Sequence, residues 1–581
     1  MIFTSRREGT APHRGQSVLK YGCLAWAAGL QLFEILVNPD RTGWTLMSGG
    51  WALLSAALVM AALWGAARSH SPFWRWLWAA IFAVSAWFFT GYRMAMDAHM
   101  TFDVFKTMFG YRSFAGLAAA QYGPSIIWSL LVSLPLFIGI GLRPDPARRR
   151  PALAALAALP LLMIAALTGF LAMTGDRKDY PLPGLFASPA FASLMTYDAL
   201  TAGPDKGRAA VALAHNGSRP ARDIVYVIDE SLAPLYLDIN DKAGVYSGLA
   251  QPRPGWSIAN FGVASAITHC TNATNQTLRH GGTRGAYRHL NAHGPSIFAY
   301  AKAAGFETVY IDTQTTGGQL HNAMDKAERA QIDRFIQFDD VPAINRDHAA
   351  ADRLRALLAD NRFQFILVNK QGAHFPVHAS YPPDQRPYAP VAPREQYFGS
   401  EEWNPLLTFS AARKDWRLYR NAYRNTIVWN VGGFFDRLLA APPQSPATII
   451  YTADHGQDLH ERGNIGTNTH CTPWPLAEEG AVPLVLLESG GLDGPWQELA
   501  KAHHNARSHY QLFPTLLQLM GYDPAAVAGE YGQGLDSKAR DPMTFNILFR
   551  AREGHAPQWQ KMDPQKLRRP PLSDYAESRA D

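Results

Sequence analysis

Five apolar segments crowd the first 175 or so residues, at about 18–37, 44–67, 73–92, 124–142 and 153–174. Each is near the ~20 residues that a helix needs to cross the hydrocarbon core of a bilayer. A chain that enters lipid must satisfy its backbone within each segment, so residues 1–175 are expected to form a five-helix transmembrane domain. The flanking charges agree on one orientation. Arg6, Arg7, Arg14 and Lys20 precede the first segment, Arg68 and Arg75 bracket the turn between the second and third, and Arg143, Arg148, Arg149 and Arg150 lie between the fourth and fifth. Under the positive-inside rule all three groups belong in the cytoplasm, which carries everything after about residue 175 to the far side. Buried helices of a soluble protein would not need this charge pattern, and four further segments argue against a cleaved signal peptide. Between the third and fourth segments, "RMAMDAHMTFDVFKTMFGYRSFAG" suits an external helix lying on the membrane surface, at about 95–120.

The remaining length excludes a purely membrane-embedded protein. At 581 residues the chain is too long for one ordinary domain. Its net charge of +6 could serve nucleic acid, but the excess sits between apolar segments and no basic face with interleaved aromatics appears; a membrane is the expected partner, and nucleic acid is not. Three cysteines make no disulfide scaffold.

From about residue 223 short β-rich runs appear: "DIVYVIDE" (223–230), "ETVYIDT" (307–313), "FQFILVN" (363–369), "ATIIYTA" (447–453) and "VPLVLLE" (482–488). Helical stretches such as "SIFAYAKAAG", "DHAAADRLRALLAD" and "HYQLFPTLLQLMG" lie among them. Near-continuous apolar strands alternating with helices predict an α/β domain over 223–545, with a mainly parallel sheet between helices. Residues 176–222 read as a linker, and 546–581 as a loosely packed polar tail.

Three of these strands run into residues that bind metals or phosphates, where open α/β sheets keep their ligands. The first ends on Asp229-Glu230-Ser231 and the fourth on Asp454-His455-Gly456, while "KQGAHFPVH" after the third supplies His374 and His378. Carboxylate oxygens with one imidazole make a zinc site with a position open for a nucleophile, and Gly456 allows the sharp turn that would converge them. "ASAITHCTNATNQTLRHGG" (264–282) offers hydroxyls at Thr268, Thr271, Thr274 and Thr277, any of which a cation could activate by lowering its pKa. Each residue also has an ordinary reading: Asp454-His455 as turn chemistry, Glu230 as the cap of a helix beginning near Ser231, His374 as a packed histidine. Their coincidence at the ends of one inferred sheet favours the site.

These residues also resemble a known family. "YVIDES", "THCTNAT", "GAHFPVHASYP", "YTADHGQDLHERG" and "VPLVLLE" resemble, in order, motifs of the sulfatase-like alkaline phosphatase superfamily. The resemblance is to its membrane-bound phosphoethanolamine transferases, which modify lipid A and other envelope glycolipids. It covers about 223–525 and extends through the five-span topology. It implies an alkaline-phosphatase-like periplasmic domain on the bacterial inner membrane, with Zn2+ as cofactor. Glu230, Asp454 and His455 correspond to metal ligands, and Thr271 to the nucleophile that completes the metal's coordination. Thr274 three residues on and Gly281 ten on fit the family's spacing; alignment on Cys270 would put Asn272 there, with Thr274 as the fallback. His374 and His470 match phosphate-site histidines. "HMTFDVFKTMF" resembles the external helix that holds the donor lipid, with the family's threonine kept as Thr107, its asparagine replaced by Asp103 and its glutamate by Tyr111.

The resemblance implies transfer of phosphoethanolamine from phosphatidylethanolamine to a glycolipid acceptor, lipid A or lipopolysaccharide core, through a threonine-phosphoethanolamine intermediate. A phosphoglycerol transferase or a phosphodiesterase of the same superfamily is the alternative. A non-catalytic membrane module is a third reading, against which the joint retention of Glu230, a threonine, Asp454 and His455 counts. A sulfatase activity is not expected, because Cys270 is followed by Thr-Asn-Ala-Thr and lacks the Pro/Ala and Arg required for conversion to formylglycine. Cys270 abuts Thr271 and Cys471 abuts His470, which leaves two readings open: a disulfide stapling two site loops, as an oxidising exterior permits, or two free thiols.

Overall fold

The computed structural model describes residues 14–36, 46–69, 71–96, 100–110, 123, 125–143, 151–174, 182–201, 207–215, 217, 219–391, 416–442, 444–463, 469–472, 475–489, 491–492, 494–547, 549 and 556–575. They fall into two compact units, one built on Met1–Pro204 and one on nearly all of the later residues.

The first unit is helical. Arg14–Leu36, Leu46–Arg68, Pro72–Met96, Leu130–Gly141 and Pro151–Thr174 overlap the five apolar segments. Gly49–Arg68 is long and apolar enough to cross a membrane, while Ser125–Gly141 and Ala158–Met173 are apolar but shorter. Two cations from separate segments converge on the last carbonyls of the helix Leu130–Gly141. Lys20 Nζ donates to Gly139 O and to Leu142 O, each at 2.8 Å, and Arg75 Nε donates to Gly141 O at 2.9 Å. The negative end of a helix is where such charges are stabilised. A helix at Phe102–Gly110 lies within the stretch expected to form the external helix.

The stretch 176–222 is not simply a linker, because it contains the helix Gly184–Thr201. Leu185, Phe186, Ala187, Ala190 and Leu194 are buried in this unit's core. Phe186 meets Phe82 edge-on at 5.5 Å, and Phe191 packs against Phe89, Phe102 and Phe105. Pro189 inside the helix, with Pro, Gly and charged residues on both sides, gave the segment the composition of a connector.

The second unit is organised by an eight-stranded sheet: β1 (Asp223–Asp229), β2 (Trp256–Ser265), β3 (Glu307–Asp312), β4 (Arg334–Ile336), β5 (Gln364–Asn369), β6 (Ala447–Ala453), β7 (Ala481–Ser489) and β8 (Arg507–Ser508). The order is β4-β3-β5-β1-β6-β7-β2-β8, with β4 through β6 mutually parallel and β7 antiparallel to both neighbours. Strands buried on both faces explain the uninterrupted apolar runs of β1, β5 and β6. β2 escapes a sequence reading because its register shifts between Asn260 and Gly262, which breaks its pattern mid-strand.

The carboxyl-terminal segment is not a loose tail. Trp559–Lys561 pairs antiparallel with Thr544–Asn546. Asp574, 4% exposed, accepts from Arg420 Nε at 2.6 Å and Nη2 at 2.8 Å, and from Arg424 Nη1 at 3.0 Å. Its polarity looked like solvent exposure, yet its key charge is buried against two arginines of the helix Trp416–Thr426. Removing one partner of such a cluster leaves unpaired buried charge. Asp574→Asn is therefore expected to cost about 3 kcal/mol and lower Tm by roughly 5 °C in thermal unfolding of the full chain in detergent; an unchanged Tm would contradict the anchoring role.

His509, fully buried, shares a 2.9 Å hydrogen bond between its Nε2 and Thr452 Oγ1, and burial pushes its imidazole down to about 3, with the charge of His455 adding to the effect. The unfolded imidazole titrates near 6.5, so its stabilising contribution is complete above that pH and is lost as pH falls toward 3. Tm should drop on acidification from about pH 6.5, and His509→Gln should flatten part of that drop; parallel profiles for both proteins would rule it out.

Candidate active site

Parallel pairing places the ends of β5, β1 and β6 side by side, with Ile228 opposite Asn369 and Asp229 opposite Ala453. The backbone continues this alignment past the strands: Asp454 N donates to Asp229 O at 2.9 Å and Leu232 N to His455 O at 3.0 Å. Glu230, Asp454 and His455 are thereby delivered to one point, each with a ligand atom within 4.8 Å of the others, and all are buried. Gly456 serves this convergence by allowing close approach, since a Cβ there would run into the carbonyls of Glu478 and Ala481.

Thr271 reaches the same point from another element. It opens the helix Thr271–His280, and its Oγ1 lies 3.0 Å from Glu230 Oε1 and 3.0 Å from His455 Nε2. His455 Nδ1 faces Gly456 O at 2.9 Å and must donate to it, so in the neutral ring the Nε2 lone pair points into the cluster. Asp454 Oδ1 accepts the N–H of His455 at 2.7 Å, while its Oδ2 is buried without a hydrogen-bond partner. Two carboxylates, an imidazole nitrogen and a hydroxyl, with one orphaned buried oxygen, fit a divalent cation.

The electrostatics point the same way. Burial and the charge of Glu230 push the Asp454 carboxyl up to about 8. Burial opposes a charged His455, but Asp454 and Glu230 outweigh it and raise the imidazole to about 9. Burial likewise opposes ionisation of Glu230, yet the hydrogen bond and charge of His455, then the charges of His374 and His470, hold it below the ordinary carboxylate range. A cluster that retains a proton this firmly is one that draws in positive charge.

His470 stacks on His455 with ring centroids 4.3 Å apart, and burial followed by the charge of His455 keeps it well below the ordinary imidazole value. His374 is exposed, and its Nδ1 is turned to Phe375 O. His378 is buried in the short turn Val377–Ala379. The Thr274 hydroxyl is fully buried and donates to Thr268 O at 3.2 Å, facing its own loop. Thr107 lies on the helix Phe102–Gly110 of the other unit; its side chain, that of Asp103, and all of Tyr111 lie outside the described residues.

The sequence reading missed what surrounds the cluster. Gln314, two residues past β3, donates from Nε2 to Glu230 Oε2 at 3.2 Å and to Lys370 O at 2.7 Å. Asp229 turns away from the cluster: its Oδ2 accepts from Lys370 Nζ and from Tyr451 OH, each at 2.8 Å, and Lys370 is itself fully buried. A lysine directly after the buried strand β5 was the available signal, because a buried ammonium needs a carboxylate.

Cys270 and Cys471 are disulfide-bonded, with Cα atoms 4.8 Å apart and 201 residues between them. The bond joins the residue before Thr271 to the residue after His470. Cys471 N also donates to His269 O at 2.9 Å, and His269 Nε2 to Thr472 O at 3.1 Å. Alkylation of the unfolded, unreduced protein should label Cys23 alone, with two further labels after reduction; three labels before reduction would contradict the bond.

The Sulfatase family model matches residues 222–522. The Kdo(2)-lipid A phosphoethanolamine 7''-transferase of Escherichia coli K12 is 26% identical over 243 residues, a span of 39% of each chain, so the match reaches about two fifths of that relative's length. The integral membrane lipooligosaccharide phosphoethanolamine transferase A of Neisseria meningitidis superposes with a TM-score of 0.59 at 16% identity, covering 88% of this chain and 96% of its own.

Proposed function

Because the chain belongs to the sulfatase family, we propose that its site performs phosphoryl-group transfer as a membrane-bound phosphoethanolamine transferase. The carrying observation is the contact of Thr271 Oγ1 with Glu230 and His455 beside the orphaned Oδ2 of Asp454. The two relatives named above are phosphoethanolamine transferases of lipid A and lipooligosaccharide, which supports the same substrate classes here.

Thr271 Oγ1 attacks the phosphorus of phosphatidylethanolamine. The new Oγ1–P bond replaces the P–O bond to glycerol, and diacylglycerol leaves with a proton. The hydroxyl proton of Thr271 has Glu230 Oε1 as its acceptor at 3.0 Å. His470 and His374 are assigned to hydrogen-bond the phosphoryl oxygens and to hand a proton to the leaving oxygen. In the second half a hydroxyl or phosphate oxygen of lipid A or core sugar attacks the same phosphorus, and the Oγ1–P bond breaks. Glu230, Asp454, His455 and Thr271 would hold Zn2+, the borderline cation that suits carboxylate and imidazole together. That ion supplies Lewis acidity, lowering the hydroxyl pKa and offsetting phosphoryl charge.

The helical unit is a five-span inner-membrane domain with its external helix near the donor lipid, and the catalytic unit lies in the periplasm. Lys20 and Arg75 support this orientation, since both converge on the end of the helix Leu130–Gly141 that leads into Arg143. Mass spectrometry of envelope lipids should show a phosphoethanolamine adduct on lipid A or core species when the protein is present. Thr271→Ala should lower transfer by about 10^3-fold or more, Thr274→Ala should not, and chelation should abolish it. A phosphoglycerol adduct would move the donor assignment to phosphatidylglycerol, free headgroup release would indicate hydrolysis, and a fully active Thr271→Ala would overturn the nucleophile.

A further inference from the structure

Ser231 occupies backbone space that serine rarely enters. Its φ of 59° is left-handed, a conformation that strains a side-chain-bearing residue but not glycine. No helix begins at Ser231, so Glu230 is not a helix cap. The residue is 1% exposed, and all of its polar groups are used. Its N–H donates to Asp454 Oδ1 at 2.9 Å and its Oγ to Glu230 Oε1 at 2.9 Å. Its carbonyl accepts from Tyr423 OH and from Gln457 Nε2, each at 2.9 Å. Tyr423 OH in turn accepts Ala233 N at 2.8 Å, which holds the loop from its far side.

These contacts divide the labour between two carboxylates. Asp454 Oδ1 is saturated by the N–H groups of Ser231 and His455, which leaves Oδ2 as the free oxygen facing the cluster. Glu230 is pinned at both ends, Oε1 by the Ser231 hydroxyl and Oε2 by Gln314. A glycine at 231 would supply the backbone conformation without strain, but it would lack the hydroxyl that holds Glu230 Oε1.

We propose that Ser231 is a positioning residue of the metal centre, presetting Glu230 and Asp454 as a ligand pair and thereby setting the affinity for a divalent cation. This rests on the metal reading given above. Groups that orient metal ligands without touching the metal typically change affinity 10–100-fold when removed.

The test uses the full-length protein in detergent, stripped by chelator, with Zn2+ affinity measured by competition against a chromophoric chelator. Ser231→Ala keeps the N–H and removes the hydroxyl, and its affinity should fall by about 10–100-fold. Ser231→Gly should fall likewise although it relieves the strain. Ser231→Thr keeps the hydroxyl but adds β-branching in a left-handed position, and it should stay within about threefold of wild type while losing Tm. A purely structural role gives the reverse order, with Thr worst and Gly best, and would overturn the proposal. So would wild-type affinity in Ser231→Ala. A wild-type chain that binds no Zn2+ would overturn the metal reading itself and this proposal with it.

Discussion

The parallel register of β1 on β6 is the constraint on which everything at the site depends. Pairing Asp229 with Ala453 fixes residues 230 and 454 as neighbours before any side chain is considered. A slip of one residue would send Glu230 to the opposite face. The register is held by apolar burial on both faces of the two strands, and past their ends by the backbone bonds of Asp454 to Asp229 and of Leu232 to His455. The hydrophobic sheet thus stabilises a cluster of charged groups that would not assemble alone. Its buried cost is offset by compensation: Lys370 for Asp229, and the proton or cation shared among Glu230, Asp454 and His455.

Around that axis the remaining parts act as braces. Thr271 arrives on its own helix, and the Cys270–Cys471 bond ties that helix to the loop bearing His470. The helix Trp416–Thr426 touches both loops that carry the cluster, Tyr423 on Ser231 and Arg420 on Leu459 O at 3.2 Å. Asp574 neutralises the same arginine, so the carboxyl-terminal segment reaches the site's support at one remove.

Much of this was legible in the sequence for one physical reason: doubly buried parallel strands write long apolar runs, and polar residues stand out where they stop. Glu230, Asp454 and His455 were visible as interruptions, and the structure brings them together with Thr271. What stayed hidden were residues whose role is set by backbone geometry or by a distant partner. Ser231 was visible only as a residue near a possible helix start, whereas its left-handed φ and the absence of a helix beginning there set its role. Gln314 comes after a strand without any metal-binding character of its own. The helix Gly184–Thr201 was masked by its proline and charged flanks, β2 by its bulge, and the packed tail by its polarity. In the helical unit the loop charges were visible, but not that Lys20 and Arg75 would converge on one helix end.

The central claim is that Thr271 carries the group in transit. The direct measurement is peptide mass mapping of the full-length protein after incubation with phosphatidylethanolamine and no acceptor. A phosphoethanolamine adduct on the Thr271 hydroxyl, discharged when glycolipid is added, is the expected result. An adduct that maps to Thr274 or elsewhere, or one that persists when acceptor is supplied, would contradict the account.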